Sequence, residues 1–315
     1  MQLEKVVEIL KSGGVVALPT ETVYGLISFY GIEGSWKKIY ELKGRDFQKP
    51  LALFIRDRDE MRKWVKFSLP AWILARNFWP GPLTLVLKIK EGIHFPWETA
   101  GFRIPDHPVP LKVLEKISPL WSTSANPSGK KSATTAREVS GYFPQGVDMI
   151  ISQGEELVKG IPSTVVEVGE NGVRIVREGL IKVEEVKKVL KIYKILFVCE
   201  ENRERSVWAQ NIFSKMLPSL KILSAGISST ARYKVNEKDM EWADLIITME
   251  ERQKNILINR FPSSHRKVFS LREIAGLGDI EDPCISGNWE GVRKKLLKSL
   301  KILKEELEIA SCNRL

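Results

Sequence analysis

The sequence predicts an α/β protein of two domains. Its 315 residues exceed one typical domain, and a hydrophobic content of 43% is enough for two cores. Apolar runs typical of buried strands alternate with segments of helical periodicity. Near residues 188–194, the helical pattern of Val183 to Leu190 gives way to a new strand, Lys194 to Val198, without a flexible linker. We therefore expect domains at residues 1–190 and 191–315, held close together by a short connection.

Polar segments adjoin the strand-like runs of the first domain. The run Gly14 to Leu18 ends in Pro19-Thr20-Glu21-Thr22, which places polar groups at a strand end. In the segment Lys43 to Pro50, three cations flank a glycine ahead of the apolar run Leu51 to Ile55, a composition that suits an anion-binding loop. Arg103 lies in an apolar strand that prolines end, and a half-buried arginine requires an anionic partner.

The octapeptide Ser122 to Gly129 combines hydroxyl, amide and turn-forming residues directly after an apolar segment. Small hydroxyl side chains let a ligand approach the backbone, and Asn126 offers both donors and an acceptor. Taken alone, the octapeptide is better interpreted as an ordinary polar turn. Beside the other polar segments of the first domain, it predicts a site for an oxygen-rich ligand.

These segments, with Phe78 to Thr84, Pro162 to Val166 and Val176 to Gly179, resemble the Sua5/YrdC/YciO family in order and spacing over residues 1 to about 190. The resemblance implies a YrdC-like twisted α/β sheet with a concave, basic site. It also implies a threonylcarbamoyl-AMP synthase, a nucleotidyltransferase that joins L-threonine, bicarbonate and ATP and releases pyrophosphate. The product would feed the t6A modification of tRNA through a separate threonylcarbamoyl transferase complex.

The same resemblance assigns residues to the two substrates. For L-threonine they are Thr22, Ser124 and Ser163, with Arg103 binding the carboxylate through a bidentate fork. Lys43 and Arg45 would be the catalytic residues of this domain. The residues expected to bind ATP are Arg45, Lys49, Thr99, Asn126, Thr134 and Arg177.

Three positions leave details of this site open. Glu21 could serve Mg²⁺ or only cap the backbone, Lys49 replaces a commoner Asn, and Phe54 stands where many relatives carry His. The reaction class is unaffected, because a carbamate formed from the threonine amine is already an anionic nucleophile. Placement and charge neutralisation then carry its attack on the α-phosphate, with Mg²⁺ bridging the phosphates of ATP and no metal bound by the protein itself.

The second domain opens with a strand that runs into Cys199-Glu200-Glu201-Asn202-Arg203-Glu204-Arg205-Ser206, followed by a helical pattern from Val207 to Met216. A cysteine, five residues and then an arginine at a strand-to-helix turn suit a cysteine-dependent phosphatase, because the helix N-terminus and the arginine bind phosphate and favour the thiolate. For the bare spacing alone, a buried cysteine that ends a strand is the better interpretation. Ser224-Ala225-Gly226, Ala243 to Met249 and Asp282-Pro283 follow in the order of the low-molecular-weight protein tyrosine phosphatases, which this domain resembles.

This second resemblance implies a doubly wound parallel sheet with Cys199 as nucleophile. Asn202 and Arg205 would shape the phosphate loop, Ser206 would support the thiolate, and Asp282 would protonate the leaving oxygen. Three loop carboxylates oppose phosphate unless they point outward or pair with Arg203; they are Glu200, Glu201 and Glu204. Both an active phosphatase and a degenerate binding module remain open. Cys284 could protect or inhibit Cys199 through a redox bond, or be a passive surface residue.

Composition is consistent with these interpretations. A net charge of +10 is shared equally between the halves; it permits contact with tRNA but is more typical of solvated surface. Three separated cysteines favour a reducing cytoplasm, and no apolar run approaches the ~20 residues of a membrane span. His107 is expected to be a structural turn residue, Trp72 a core residue, and the C-terminal Lys- and Leu-rich helix to pack on the second domain's sheet.

Two other functions remain open beside the synthase. In one, the phosphatase half alone is catalytic and the first domain binds RNA or regulates. In the other, both halves are binding modules without turnover.

Overall fold

The computed structural model describes residues 3–311 and shows a mixed α/β fold. The first domain contains nine strands: β1 Val16–Leu18, β2 Gly25–Phe29, β3 Ala52–Phe54, β4 Leu83–Lys88, β5 Thr99–Arg103, β6 Leu120–Ser124, β7 Met149–Ile150, β8 Thr164–Gly169 and β9 Gly172–Arg177. Its α-helices are α1 Leu3–Lys11, α2 Ser35–Lys43, α3 Leu69–Phe78, α4 Pro108–Lys116, α5 Ala136–Tyr142 and α6 Val183–Leu190. Short 3₁₀ turns lie at Glu60–Lys63 and Glu155–Leu157.

The nine strands form one sheet in the order β7-β1-β2-β6-β3-β5-β4-β8-β9. The sheet is mixed, because it contains antiparallel pairs such as β2 with β6 and parallel pairs such as β3 with β5. Its central strands are covered on one face by apolar side chains, including Leu53, Leu85 and Phe102, all fully buried. The opposite face carries the polar residues that form the first candidate site.

The second domain is a four-stranded parallel sheet flanked by helices. Its strands are β10 Lys194–Cys199, β11 Lys221–Gly226, β12 Leu245–Thr248 and β13 Val268–Ser270. Its α-helices are α7 Arg205–Met216, α8 Glu237–Trp242, α9 Glu251–Arg260, α10 Leu271–Ala275, α11 Pro283–Ser286 and α12 Trp289–Ser311, and a 3₁₀ segment spans Pro262–Lys267. The strand order is β11-β10-β12-β13. The order of the strands therefore reverses at β10. Ligands of such sheets bind outside the carboxyl ends of the strands at this switch point.

The two domains share one hydrophobic core. Only residues 191–193 separate α6 from β10, as the short connection predicts. The C-terminal helix α12 packs against α7 and α10 of the second domain, but also against α3 and β9 of the first. The helix α12 therefore contacts both domains, whereas the sequence argument placed it on the second domain alone. Its buried leucines at 296, 300 and 303 join a cluster that includes core residues of both domains, because α12 lies at the junction.

Several local predictions are confirmed with adjusted bounds. The strand predicted at Gly14 to Leu18 is shorter, and Ser122 to Ser124 belong to β6 rather than to a loop, since they pair with β2 and β3. His107 is buried and caps α4 by accepting from the Val109 amide at 3.2 Å, and Trp72 is a core residue. In the part of the chain that the structure describes, no helix is both long and apolar enough to span a membrane.

Candidate active sites of the two domains

The first candidate site is a cavity of about 470 Å³ on the polar face of the nine-stranded sheet. Its floor consists of alternate strand residues: Ala52 and Phe54, Thr84 and Val86, Thr99, Gly101 and Arg103, Ser122 and Ser124, and Val165 and Glu167. Alternate residues of a strand point to the same face, so six strands including β9 bring their polar positions together here. Gly101 keeps the floor low, because a Cβ there would lie 3.0 Å from Cγ2 of Thr84.

Arg103, at the end of β5, is the buried cation of this cavity. Its Nη2 lies 2.7 Å from Oε1 of Glu21 and donates to Oγ1 of Thr22 at 3.0 Å, while Nε donates to the Gly81 carbonyl at 3.2 Å. Both Glu21 oxygens are buried without a hydrogen-bond partner in the described residues, so the contact with Arg103 is an ion pair without hydrogen-bond geometry. Glu21 is thus the anionic partner that Arg103 requires.

Thr22 is held from two sides. Its hydroxyl lies 2.8 Å from that of Thr20, which in turn donates to the Val23 carbonyl at 2.7 Å. With Arg103 on the other side, the Thr22 hydroxyl has a fixed position at the cavity wall. A fixed hydroxyl beside a cation can recognise a carboxylate or a hydroxyl of a small ligand.

Ser163 forms the opposite wall with Arg177. The Ser163 hydroxyl lies 2.9 Å from that of Thr84, and the Arg177 guanidinium donates to the Ser163 carbonyl at 2.8 Å. Gly179 permits this arrangement, because a Cβ there would lie only 2.1 Å from the Pro162 carbonyl. Burial, and secondarily the charge of Arg103, lower the pKa of Arg177 below its ordinary value. Four arginines and one carboxylate line the cavity, and this excess of positive charge favours an anionic ligand.

Lys43 lies at the end of α2 behind the cavity wall, and Arg45 follows it on the cavity itself. Nζ of Lys43 donates to the carbonyl oxygens of Ser124 and Asn126, the latter at 2.6 Å, and so fixes the turn after β6. Burial, with a smaller contribution from the Arg45 charge, lowers the pKa of Lys43 to about 7. Arg45 lines the cavity and donates to the carbonyls of Lys49 and Pro50 at 3.1 and 3.2 Å.

Seven of the residues predicted for this site line the cavity. They are Thr22, Arg45, Thr99, Arg103, Ser124, Ser163 and Arg177. Four others do not line it: Lys43, Lys49, Asn126 and Thr134. Asn126 holds its own loop by donating to the Lys130 carbonyl at 2.7 Å, and the Thr134 hydroxyl donates to Glu138 at 2.9 Å. Lys49 is exposed.

The lining residues that the sequence argument missed include Thr20, Thr84 and Arg174. The signal was present for Thr84, which lies between two buried leucines in β4, and alternation of this kind marks a strand with one polar face. Arg174 pairs with Glu167 at 2.5 Å, a contact across β8 and β9 that depends on their register.

The second candidate site is the loop between β10 and α7. The buried thiol of Cys199 lies 3.0 Å from the Ser206 hydroxyl and accepts from the Asn202 amide at 3.3 Å. Asn202 adopts a left-handed conformation with φ of 52° and donates from Nδ2 to the hydroxyls of Ser206 and Ser224 at 3.1 and 2.9 Å. The structure therefore brings Cys199, Asn202 and Ser206 together, in a loop that wraps the sulfur.

Arg205, in contrast, is bound by carboxylates of its own chain. Nη1 donates to Glu250 and to the Ile280 carbonyl at 3.0 Å, and Nη2 donates to Asp282 at 2.6 Å. Arg205 is buried, whereas both carboxylates are partly exposed. The contact of Glu250 with Arg205 was missed by sequence reasoning, because no local pattern in the sequence places these two residues opposite each other. The arginine expected to grip phosphate is therefore already engaged by two anions.

Two of the three loop carboxylates have partners other than Arg203. Glu200 pairs with Arg252 of α9, and Glu201 accepts from the Thr230 hydroxyl at 3.1 Å. Of the two alternatives for these carboxylates, pairing with Arg203 is therefore not the one observed for Glu200 and Glu201. Cys284 is exposed, and Asp282 accepts from its amide at 3.0 Å. Partial desolvation by neighbouring groups, and then the charge of Asp282, raise the pKa of the Cys284 thiol.

The fold and geometry define an α/β protein with a cation-lined cleft on a mixed sheet and a cysteine-centred phosphate loop on a parallel one. The Sua5–YciO–YrdC family model, described as "Telomere recombination", matches residues 8–179. A model described as "Low molecular weight phosphotyrosine protein phosphatase" matches residues 224–311, beginning after the phosphate loop. The chain belongs to the Sua5–YciO–YrdC family, and its second half carries a low-molecular-weight phosphatase domain.

Three known proteins illustrate the likeness. The threonylcarbamoyl-AMP synthase of Pyrococcus abyssi is 38% identical over 188 residues, which are 58% of this chain and 55% of that protein. That of Bacillus subtilis is 35% identical over 196 residues, or 60% and 56% of the two chains. This chain therefore spans about half the length of these curated relatives. The structure of P. abyssi Sua5 complexed with L-threonine matches at a TM-score of 0.55 and 24% identity, over 85% of this chain and 95% of that one.

Proposed function

We propose that this chain is a threonylcarbamoyl-AMP synthase, a nucleotidyltransferase that acts for tRNA t6A modification. The observation that carries the proposal is the convergence of Thr22, Arg103, Ser163 and Arg177 on one cavity of about 470 Å³, whose size suits small ligands. The curated relatives carry this activity by name. The substrates would be L-threonine, bicarbonate and ATP, and a separate transferase would pass the product to tRNA.

L-Threonine would bind between the Arg103 and Ser163 walls. Arg103 uses Nε and Nη2 in its present contacts, which leaves Nη1 as the nitrogen without such a contact in the described chain. A threonine carboxylate at this nitrogen would give a charge-assisted hydrogen bond. The hydroxyls of Thr22 and Ser124 stand on the same cavity and would orient the rest of the amino acid.

ATP would occupy the part of the cavity near Arg45 and Arg177, where two cations offset its phosphates. Attack by the carbamate oxygen forms a bond to the α-phosphorus, and the bond to the pyrophosphate oxygen breaks. No proton transfer is needed at that step, so charge neutralisation and placement supply the rate increase. Lys43, buried behind Ser124, acts in this proposal as a positioning residue for the turn that borders the nucleotide.

In this proposal Mg²⁺ enters bound to ATP. Within residues 3–311, no group of three or more His, Cys, Asp or Glu side chains could hold a metal ion. The carboxylate on the cavity floor, Glu167, is already paired with Arg174. The phosphates of ATP would supply the oxygen ligands that Mg²⁺ prefers, and the ion would offset charge on the leaving pyrophosphate.

The test is pyrophosphate release from ATP and Mg²⁺, with and without L-threonine plus bicarbonate. We expect release to require both co-substrates and to fall at least about 100-fold in Arg45→Ala, because Arg45 faces the cavity. Arg56→Ala is the matched control, since Arg56 is exposed, pairs with Asp57 and lies outside the cavity. Release without threonine, or equal loss in both variants, would contradict the proposal.

A second activity is favoured by the geometry of the Cys199 loop. The contacts from Ser206 and from the Asn202 amide are those that stabilise a thiolate, and we propose that Cys199 attacks a phosphate monoester. The incoming phosphate would displace Asp282 from Arg205, and Asp282 would take up a proton. An S–P bond would then form while the P–O ester bond breaks, with Asp282 passing its proton to the leaving oxygen. Water would finally cleave the S–P bond and release phosphate. Hydrolysis of p-nitrophenyl phosphate that is lost in Cys199→Ser, with synthase activity retained, is the expected result. Equal hydrolysis by wild type and Cys199→Ser would overturn it.

A further inference from the structure

A series of ion pairs joins helix α3 of the first domain to helix α9 of the second. Arg76 of α3 donates from Nη2 to Glu273 of α10 at 2.8 Å and from Nη1 to the Val268 carbonyl of β13 at 2.6 Å. Its guanidinium also lies over the Phe269 ring, with Cζ 3.8 Å from the ring centroid. The side chains of Arg76 and Glu273 are each only 10% exposed. Arg76 is therefore a well-packed cation that the first domain inserts into the second.

The ion pairs extend from Glu273 into the first turn of α9. Its Oε2 lies 2.9 Å from Nζ of Lys254, and this Nζ lies 2.5 Å from Oε1 of Glu251. Oε2 of Glu251 accepts from the Ser270 hydroxyl at 2.5 Å, and the Glu251 amide donates to Asp279 at 3.0 Å. Glu251 is thus held at its backbone and at both side-chain oxygens.

The residue before Glu251 is Glu250, one of the two carboxylates that contact the phosphate-loop arginine. Glu250 is the N-cap residue of α9, and its Oε1 accepts from Nη1 of Arg205 and from Nε2 of Gln253 at 3.1 Å. A continuous series of contacts therefore leads from Arg76 in the first domain, through the first turn of α9, to Arg205 in the second.

Glu250 limits how tightly a phosphate can bind at the Cys199 loop. An arginine binds phosphate by presenting its N–H groups to the phosphate oxygens, and Nη1 of Arg205 already donates to Glu250. The Arg205 side chain is 2% exposed, so solvent screens the repulsion between two anions beside it only weakly. A Glu250 that is held in place therefore weakens phosphate binding, and a Glu250 that can move away strengthens it.

The charge of Arg76 affects the position of this turn through the shared lysine. Without that charge, the carboxylates of Glu273 and Glu251 would share the single charge of Lys254. Two carboxylates beside one buried lysine repel each other, and one of them is then expected to turn toward solvent. Glu251 is the more exposed of the two, at 33% against 10%. Its movement would displace the preceding residue, Glu250.

We propose that Arg76 is a positioning residue for the phosphate loop: it holds the first turn of α9 so that Glu250 keeps its contact with Arg205, and so lowers the affinity of the loop for phosphate. This inference rests on the phosphatase activity proposed above, because it concerns the ligand of the Cys199 loop. It gives the first domain an influence on the second domain's site without any shared substrate.

Calorimetric titration of the full chain with inorganic phosphate tests the inference. All variants carry Arg45→Ala, which weakens the sheet cavity as a second phosphate site, and the binding that is lost on adding Arg205→Ala is assigned to the Cys199 loop. Arg76→Met and Glu273→Gln should each bind phosphate at least about threefold more tightly at this loop, an effect typical of coupled neighbours. Arg76→Lys keeps a cation and should restore most of the original, weaker affinity.

Arg62→Met is the matched control. Arg62 also lies over the Trp72 ring, but its ion pair is with Asp59 of its own domain at 2.9 Å. Removing it takes away a cation of the same type from the same side of the first domain and leaves the pair of Arg76 with Glu273 intact. Phosphate affinity should therefore stay at the background value.

A double-mutant cycle gives a readout that a merely structural role would not move. In a Glu250→Gln background the competing charge is absent, so Arg76→Met should change phosphate affinity by less than about 1.5-fold. Thermal melting reports separately on stability, which Arg76→Met should lower in both backgrounds. Glu273→Gln gives the same cycle with the arginine retained, in case Arg76→Met does not fold.

The outcomes separate this inference from the proposed activity. Tighter binding in Arg76→Met and Glu273→Gln that disappears in Glu250→Gln supports the inference. Binding that depends on Arg205 but is unchanged in both variants, or that changes equally in the Glu250→Gln background, would overturn it and leave the proposed activity standing. Binding that does not depend on Arg205 in any variant would overturn both.

Discussion

The two candidate sites differ in how many carboxylates neutralise their buried arginine. Arg103 of the first domain has one carboxylate partner, Glu21, and faces an open cavity. Arg205 of the second domain is held by both Glu250 and Asp282 and by a carbonyl. Both arginines are buried and both were predicted to bind an anionic ligand. The difference shows that a motif can predict the cation, whereas the carboxylates around it decide how much positive charge a ligand meets.

The largest expected effect concerns Arg103 and Glu21. Arg103→Ala should lower kcat/KM for threonine by about 100-fold or more and destabilise the fold by about 3–5 kcal/mol, since the buried Glu21 charge loses its partner. The double variant Arg103→Ala with Glu21→Gln should regain part of the stability but none of the activity. Urea unfolding and pyrophosphate release measure the two properties separately. Recovery of activity in the double variant would show that Arg103 only neutralises Glu21.

The next effect concerns Glu250. In Glu250→Gln, Arg205 loses one of its two anionic partners, so inorganic phosphate should bind about 10-fold more tightly at the Cys199 loop. Glu200→Gln is the matched control, because this loop carboxylate pairs with Arg252 and does not contact Arg205. Inhibition of p-nitrophenyl phosphate hydrolysis by phosphate gives the affinity. Equal affinities in the two variants would mean that Glu250 does not compete with phosphate.

The comparison also shows what the sequence could predict. Apolar runs and helical periods predicted both α/β domains and their junction, because these patterns follow from local burial. The Cys199 loop was predicted as a unit since its residues are contiguous. Glu250 lies 45 residues from Arg205 and reaches it only through the parallel pairing of β10 and β12. Long-range register of this kind has no local signal.

Prediction from the sequence has the same limit in the first domain, where it affects several residues. Seven predicted residues line the cavity, whereas Lys43 and Asn126 lie behind its wall and hold a turn. Their residue types suit a ligand and a structural role equally well. The C-terminal helix was predicted to pack on the second domain, and its contacts with the first domain were missed, because an apolar stripe predicts burial but not every surface that covers it.

Lys43 gives the first domain a pH dependence. Its pKa of about 7 in the folded protein lies below the ordinary value of 10.5, so between these values the unfolded chain binds a proton that the folded chain does not. Stability from this group is therefore complete above pH 10.5, falls as the pH decreases toward 7 and is constant below 7. Between pH 7 and 9 the wild type should gain on the order of 1 kcal/mol per pH unit more than Lys43→Met. Parallel unfolding curves for the two proteins over this range would contradict a buried, neutral Lys43.

The smallest effect tests the junction through Glu306 of α12. Its carboxylate accepts from the Leu69 amide of the first domain at 2.6 Å, and burial raises its pKa above the ordinary value of 4.5. The folded chain then holds the proton to higher pH than the unfolded chain. The stabilisation from this group is therefore complete below the unfolded pKa, and it falls as the pH rises through the range between the unfolded and the folded pKa. At neutral pH, Glu306→Gln keeps an acceptor but removes the buried charge, so it should stabilise the protein by less than about 1 kcal/mol. The exposed Glu308→Gln in the same helix should change stability by no more than its weak pair with Lys304 contributes. Chemical unfolding at pH 5 and pH 8 distinguishes the two variants. The gain in stability from Glu306→Gln should be larger at pH 8. A gain in stability that is larger at pH 5 would mean that the Leu69 contact, not the buried charge, sets the energy of this junction.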